Sequence, residues 1–148
     1  MTHTCPECGA ALSGEASCQS IFDTFLVLEY TDPAYGEVHF LTVACFMIQH
    51  GRYSDEGLAW IEQNLRLYLE EGVPIGRIRR QAARETSQAK RTWKVTRQPG
   101  EPPLPKIAWS MTIADVAAKY VDAASYCDLV KQWARSTLRE MGPFHKNL

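Results

Sequence analysis

The sequence predicts an all-α fold, one bundle of five or six helices over residues 1–148 with a short cysteine-bearing tail at its N-terminus. Three observations carry that expectation. Apolar residues recur at spacings of three and four through most of the chain, the period of one helix face. Ser, Thr and Asp precede these stretches and Gly or Pro follows them, where helices start and stop. The third is composition: 148 residues, 45% hydrophobic and 22% charged, have the apolar content of one folded domain and exclude a disordered or collagen-like chain.

The elements follow in order. Ile21, Phe22, Phe25, Leu26 and Leu28 place a first helix between Cys18 and Tyr30, broken at Thr31–Gly36 by Pro33 and Gly36. A second runs from about Glu37 to His50. Its stripe is Val38, Leu41, Cys45 and Ile48, and Phe40, Val43, Ala44 and Met47 fill much of the rest, so it is apolar nearly all round and expected to be central. After Gly51, Ser54 or Asp55 caps a third helix whose stripe is Leu58, Ile61, Leu65, Tyr68 and Leu69. Pro74 suits the first turn of a fourth, which has only Ile75, Ile78 and Ala82 as its apolar face before a polar stretch to Lys90. Trp93–Arg97 reads as extended, and Gln98–Pro105, with four prolines, as a loop. Thr112 with Asp115 and Ser125 with Asp128 each resemble a capping box, opening two last helices, the second with the stripe Leu129, Val130, Trp133, Thr137, Leu138 and Met141. The chain thus divides into a knuckle segment (1–18), helical hairpins and a basic helix (19–92), a Pro-rich loop (98–106) and C-terminal helices (107–148).

Charge is unevenly placed. The net charge is −1, but residues 1–76 carry −9, residues 77–106 carry +7 and the remainder +1. The basic segment, with Arg77, Arg79, Arg80, Arg84, Lys90, Arg91, Lys94 and Arg97, either complements the acidic half or faces an anionic partner. Nucleic acid is the less favoured partner, because no reading motif accompanies the charge. The longest charge-free run, Val38–Gln49, is shorter than the roughly 18 apolar residues of a membrane span. No basic segment followed by an apolar stretch opens the chain, so the expected location is cytoplasmic, with no membrane partner.

The strongest chemical signal is Cys5-Pro6-Glu7-Cys8-Gly9. Two thiolates two residues apart can face one cation, and the glycine lets the backbone fold back on them; this is zinc-knuckle chemistry. Tetrahedral zinc wants two more ligands. Cys18 is the obvious third, and if the first two helices form a hairpin about Ala34, Cys18 (sixteen residues before it) meets His50 (sixteen after it). The expected set is Cys5, Cys8, Cys18 and His50 holding a structural Zn²⁺, with His39 ranked below His50 as fourth ligand. Incidental thiols and a dithiol redox pair are the alternatives, the latter disfavoured because such pairs follow a strand and none is evident. Cys45 and Cys127 fall on apolar faces and read as small core residues.

The blocks Cys5-Pro-Glu-Cys8-Gly9, Cys18 with Phe22-Asp23, and Val38-His39-Phe-Leu41-Thr42-Val43 running to Gln49-His50-Gly51 resemble a bacterial family of small proteins of unknown function. Trp109-Ser-Met-Thr112 and Trp133-Ala134 are similar to its later block. The resemblance implies a helical fold and shared sites, and no activity. It also implies an acidic residue and a proline around the second block, where this chain has Ala44 and Gly51.

Function is thus expected to be that of a binding or regulatory module with an unidentified protein or small-molecule partner and a structural zinc. Two other readings stand beside it: a metal-dependent enzyme with a second site at Glu29 and His39, joined by His145, and an anion or nucleic-acid binder through Arg77–Arg97. His145, just beyond a helix stop, is otherwise expected to be a mobile surface residue.

Overall fold

The computed structural model describes residues 1–85 and 93–147. Seven α-helices and a two-stranded hairpin make up the described chain. The strands β1 (Thr2–Thr4) and β2 (Ala11–Ser13) pair antiparallel, Thr4 opposite Ala11, with the CPxCG turn between them. The N-terminal tail is therefore a small β-structure, too short for the periodicity of its side chains to announce it.

Helix α1 (Cys18–Thr31) starts at a reciprocal capping box in which Ser17 and Ser20 satisfy each other's backbone N–H. The expected Thr31–Gly36 break is itself one helical turn, α2 (Pro33–Gly36), capped by the Asp32 carboxylate on the Ala34 N–H. That turn accounts for seven helices where the sequence predicted five or six. Helix α3 (His39–Gln49) starts two residues later than expected and packs on α7, α1 and α4. Ser54 caps α4 (Asp55–Leu69), and α5 (Ile75–Glu85) buries Ile78 alone. Lys90 and Arg91, and the rest of the polar stretch after α5, lie outside the described residues.

Thr96 of the expected extended segment pairs in an isolated bridge with Tyr53. This contact passes so close to α4 that a Cβ on Gly57 would lie 2.3 Å from the Val95 carbonyl oxygen. Helix α6 (Ile113–Lys119) opens where expected, with the Asp115 carboxylate accepting from the Thr112 N–H at 2.8 Å. Helix α7 (Ala123–Glu140) does not open at Ser125: Asp122 is its cap and Ser125 the third helical residue, bonded to one another reciprocally. The signature sits one turn earlier, with Asp122 accepting from the Ser125 N–H and the Ser125 hydroxyl accepting from the Asp122 N–H.

Phe25, Leu41, Ile48, Ile61, Leu65, Ile113, Tyr126, Trp133 and Met141 form the centre of the core. Cys45 and Cys127 are buried free thiols within it, as expected, and burial pushes Cys45 up to about 12. No helix among the described residues is long and apolar enough to cross a membrane.

Candidate metal centre

Helices α1 and α3 run antiparallel. Phe22 stacks on Phe46, while Glu29 bonds to Thr42 and to His39, a register in which the start of α1 meets the end of α3. Cys18 is the first residue of α1 and His50 follows the last of α3, so the helix pair itself brings them together. The β-hairpin supplies Cys5 and Cys8. Its turn closes through Gly9 N–H to the Cys5 carbonyl and Cys5 N–H to the Ala10 carbonyl, both 2.9 Å, with Gly9 at φ +81°, a conformation most residues avoid.

The four side chains are buried, and one ligand atom from each lies within 4.8 Å of every other. Cys8 Sγ and Cys18 Sγ are 3.5 Å apart, and Cys5 Sγ and His50 Nε2 are 3.8 Å apart. A tetrahedron with zinc–sulfur bonds of about 2.3 Å has edges of about 3.8 Å, so the spacing matches one small cation. The imidazole is oriented for it. His50 Nδ1 donates to the Phe46 carbonyl at 2.7 Å, which leaves the Nε2 lone pair of the neutral ring directed at the sulfurs.

The protonation balance points the same way. A hydrogen bond from Cys18 holds Cys8 down to about 4 against burial, helped by His50 and the Ala10 N–H, while the same bond pushes Cys18 well up. Burial pulls His50 down, but its bonds to Cys8 and Phe46 together raise it above its ordinary value. A cation at the centre of the four would displace these protons, as ligation by thiolate and neutral imidazole requires.

Around the ligands, Lys106 Nζ donates to the Pro6 carbonyl at 2.7 Å and Arg52 pairs with Glu7 at 3.2 Å, tying the CPxCG turn to the Pro-rich segment and to the loop after α3. A cleft of about 260 Å³ opens beside Cys5, Cys18 and His50, with His3, Gln19 and Arg52 among its walls.

Two expectations about this region change. A strand does precede Cys5, so its absence is not what separates this motif from a dithiol redox pair; the chain returns after Cys8 as a second strand and not as the helix such pairs require. His145 is neither a loose surface residue nor near Glu29, because its Nε2 bonds to Glu62 on α4.

At the other end of the α1–α3 pair, Glu29 and His39 meet as the hairpin geometry predicts, Nδ1 to Oε1 at 2.8 Å. Sequence reasoning missed the rest of that cluster. Thr42 Oγ1 donates to Glu29 Oε2 at 2.6 Å, and the Tyr126 hydroxyl donates to the same oxygen. Thr42 was within reach, one helical turn from His39; Tyr126 lies on α7 and gives no local signal. With both carboxylate oxygens occupied and no third ligand, Glu29 and His39 form no metal cluster among the described residues.

Of the basic segment, Arg97 is turned inward onto Asp55, a complement between the basic stretch and the acidic half, and pairs locally with Glu101. Arg77, Arg79, Arg80 and Arg84 are exposed on α5. Trp109 packs edge-on against Phe144 and Trp60 lies near Trp93, contacts that build the fold.

The family whose model matches this chain is described as a family of unknown function (DUF5946), and the match covers residues 3–142. No curated protein and no solved structure matches.

Proposed function

Since the chain belongs to the DUF5946 family, which transfers no activity to it, we propose its role from the site itself: a helical binding or regulatory module whose N-terminal hairpin is held to the α1–α3 pair by one structural zinc ion. The observation that carries this is the convergence of Cys5, Cys8, Cys18 and His50 within 4.8 Å, with the His50 tautomer fixed by Phe46. Three thiolates and one imidazole fill a tetrahedral shell and leave no position for water or substrate, so the ion organises structure and does no chemistry. Sulfur-rich tetrahedral donors favour zinc over magnesium, calcium or manganese. Five free thiols and no disulfide among the described residues fit a reducing, cytoplasmic compartment.

The test is metal content by plasma mass spectrometry on protein purified without tag or chelator, for wild type, Cys8→Ser and His50→Ala. The expected result is about one zinc per wild-type chain and loss in both variants. A wild type that carries no metal and takes up no Zn²⁺ or Co²⁺ on titration overturns the reading.

A further inference from the structure

The net charge of +7 on residues 77–106 has two candidate complements, the acidic half of this chain or an anionic partner. The ion pairs separate the two. Arg52, Arg66, Arg97 and Arg139 each meet a carboxylate. Arg77, Arg79, Arg80 and Arg84 meet none among the described residues, and the stretch 86–92 contains no Asp or Glu to serve them. Glu85, the one acid of α5, is turned to Trp60, whose Nε1–H donates to it at 3.3 Å. Four arginines of one eleven-residue helix thus stand exposed without a carboxylate partner, although the chain has 17 acidic residues against 16 basic ones.

The helix displays these cations as a unit. With about 3.6 residues per turn, Arg77, Arg80 and Arg84 fall on one line turned away from Ile78, the buried residue of α5. Arg79 stands on the other side of exposed Gly76 and Ala83. The line is about 10 Å long at about 1.5 Å per residue, the axial length of about three phosphate steps of one strand at about 3.4 Å each.

We infer that this face of α5 binds the phosphate backbone of a nucleic acid, independently of its sequence. Phosphate contacts position a protein without reading bases, so the chain needs no reading motif for them. Two properties of the face select phosphodiesters over other anions. All four cations are arginine, whose planar fork takes two phosphate oxygens at once. Only Gly76 and Ala83 stand between them, so the face lacks the aromatic or aliphatic anchors that hold a protein partner. It equally lacks the apolar side that an interfacial helix sinks into lipid. Contact is left to charge alone, the form of sequence-independent nucleic-acid binding.

This inference names the partner class of the binding module proposed above and rests on that reading, but not on its metal, since α5 packs on α4. The test is fluorescence anisotropy of the full chain with a labelled RNA strand of about 20 nucleotides and a labelled DNA duplex of about 20 base pairs. Saturable binding is expected at about 50 mM salt. With four phosphates neutralised, affinity is expected to fall about 50-fold for the single strand and about 150-fold for the duplex by about 200 mM. Arg77→Ala/Arg80→Ala/Arg84→Ala leaves one such contact, and its fall is expected to be about 3-fold. Alanine favours helix and the three positions are exposed, so this variant is expected to keep its circular dichroism and its metal. Should it fail to fold, Arg80→Ala alone is expected to lower the log–log salt slope by about 0.7 to 0.9. Lys119→Ala, an exposed cation on α6, is expected to bind as wild type does. No binding to either probe at low salt overturns the inference, as does a folded triple variant with the wild-type salt dependence. Polyglutamate or phosphatidylserine vesicles bound as tightly as the nucleic acids overturn it too, and assign the face to an acidic protein or a membrane surface. Metal content measured on the same samples separates the two readings, because zinc without nucleic-acid binding sinks only this one, and nucleic-acid binding without zinc sinks only the metal centre.

Discussion

The two histidine-bearing clusters at opposite ends of the α1–α3 pair contrast in their balance of donors and acceptors. At the Cys18–His50 end, three sulfurs and one ring nitrogen face one another within 4.8 Å, a set of lone pairs turned on one point. At the Glu29–His39 end, one buried carboxylate is met by three donors, from His39, Thr42 and Tyr126, and its charge is dispersed over them. Both contain histidine beside an ionisable partner, but sulfur supplies the partners at one end and a single carboxylate at the other. The first is a donor set that one cation would fill; the second is already complete.

The largest effect should follow from removing the cation. Strands of three residues do not hold together unaided, and apparent zinc affinities of about 10–16 kcal/mol in small zinc domains exceed any other single interaction available to this tail. Chelation is expected to bring the amides of β1, β2 and the first turn of α1 to near-random-coil hydrogen exchange, while those around Glu29 and Tyr126 keep their protection. Unchanged exchange in the hairpin after verified loss of metal would show that packing, not the ion, holds it.

Next in size is the completed cluster. Glu29→Ala leaves the Tyr126 hydroxyl without its acceptor in the core, while Thr42 keeps the Val38 carbonyl, and is expected to cost about 2–3 kcal/mol in urea unfolding. Tyr126→Phe, which removes one donor of three, is expected to cost about 1–2 kcal/mol. Neither should alter metal content. Loss of metal in Glu29→Ala would mean that the two ends of the helix pair are coupled and not independent.

The two clusters were legible to different degrees. Counting outward from the Ala34 turn was enough to pair Cys18 with His50 and Glu29 with His39, because an antiparallel helix pair turns sequence symmetry into proximity. The strands flanking the knuckle were not legible: three residues each give no periodicity to read, and their role is set by the turn they carry. Helix α2 was hidden for a related reason, since proline and glycine signal a break but do not distinguish an open turn from one helical turn. Tyr126 could not be assigned to Glu29, 97 residues away, because which face of α7 meets α1 is decided by packing across the whole core.

A third pair sharpens the contrast with the smallest expected effect. Glu62 and His145 repeat the residue types of Glu29 and His39 at the surface, with Arg66 as a further partner at 2.8 Å. Partial burial raises the Glu62 carboxyl, but the bonds from His145 and Arg66 outweigh it and hold the group below its ordinary value of 4.5. A carboxylate whose folded value is depressed stabilises the protein above its unfolded value and loses that contribution as pH falls through the folded one. Glu62→Gln is therefore expected to cost about 1 kcal/mol or less at pH 7, the scale of exposed ion pairs. Below the ordinary 4.5 the difference from wild type should shrink, and it should vanish once Glu62 is protonated. Urea unfolding of both proteins across that range tests it, since a gap that persists in acid would assign the effect to packing of the C-terminal segment and remove charge from the account.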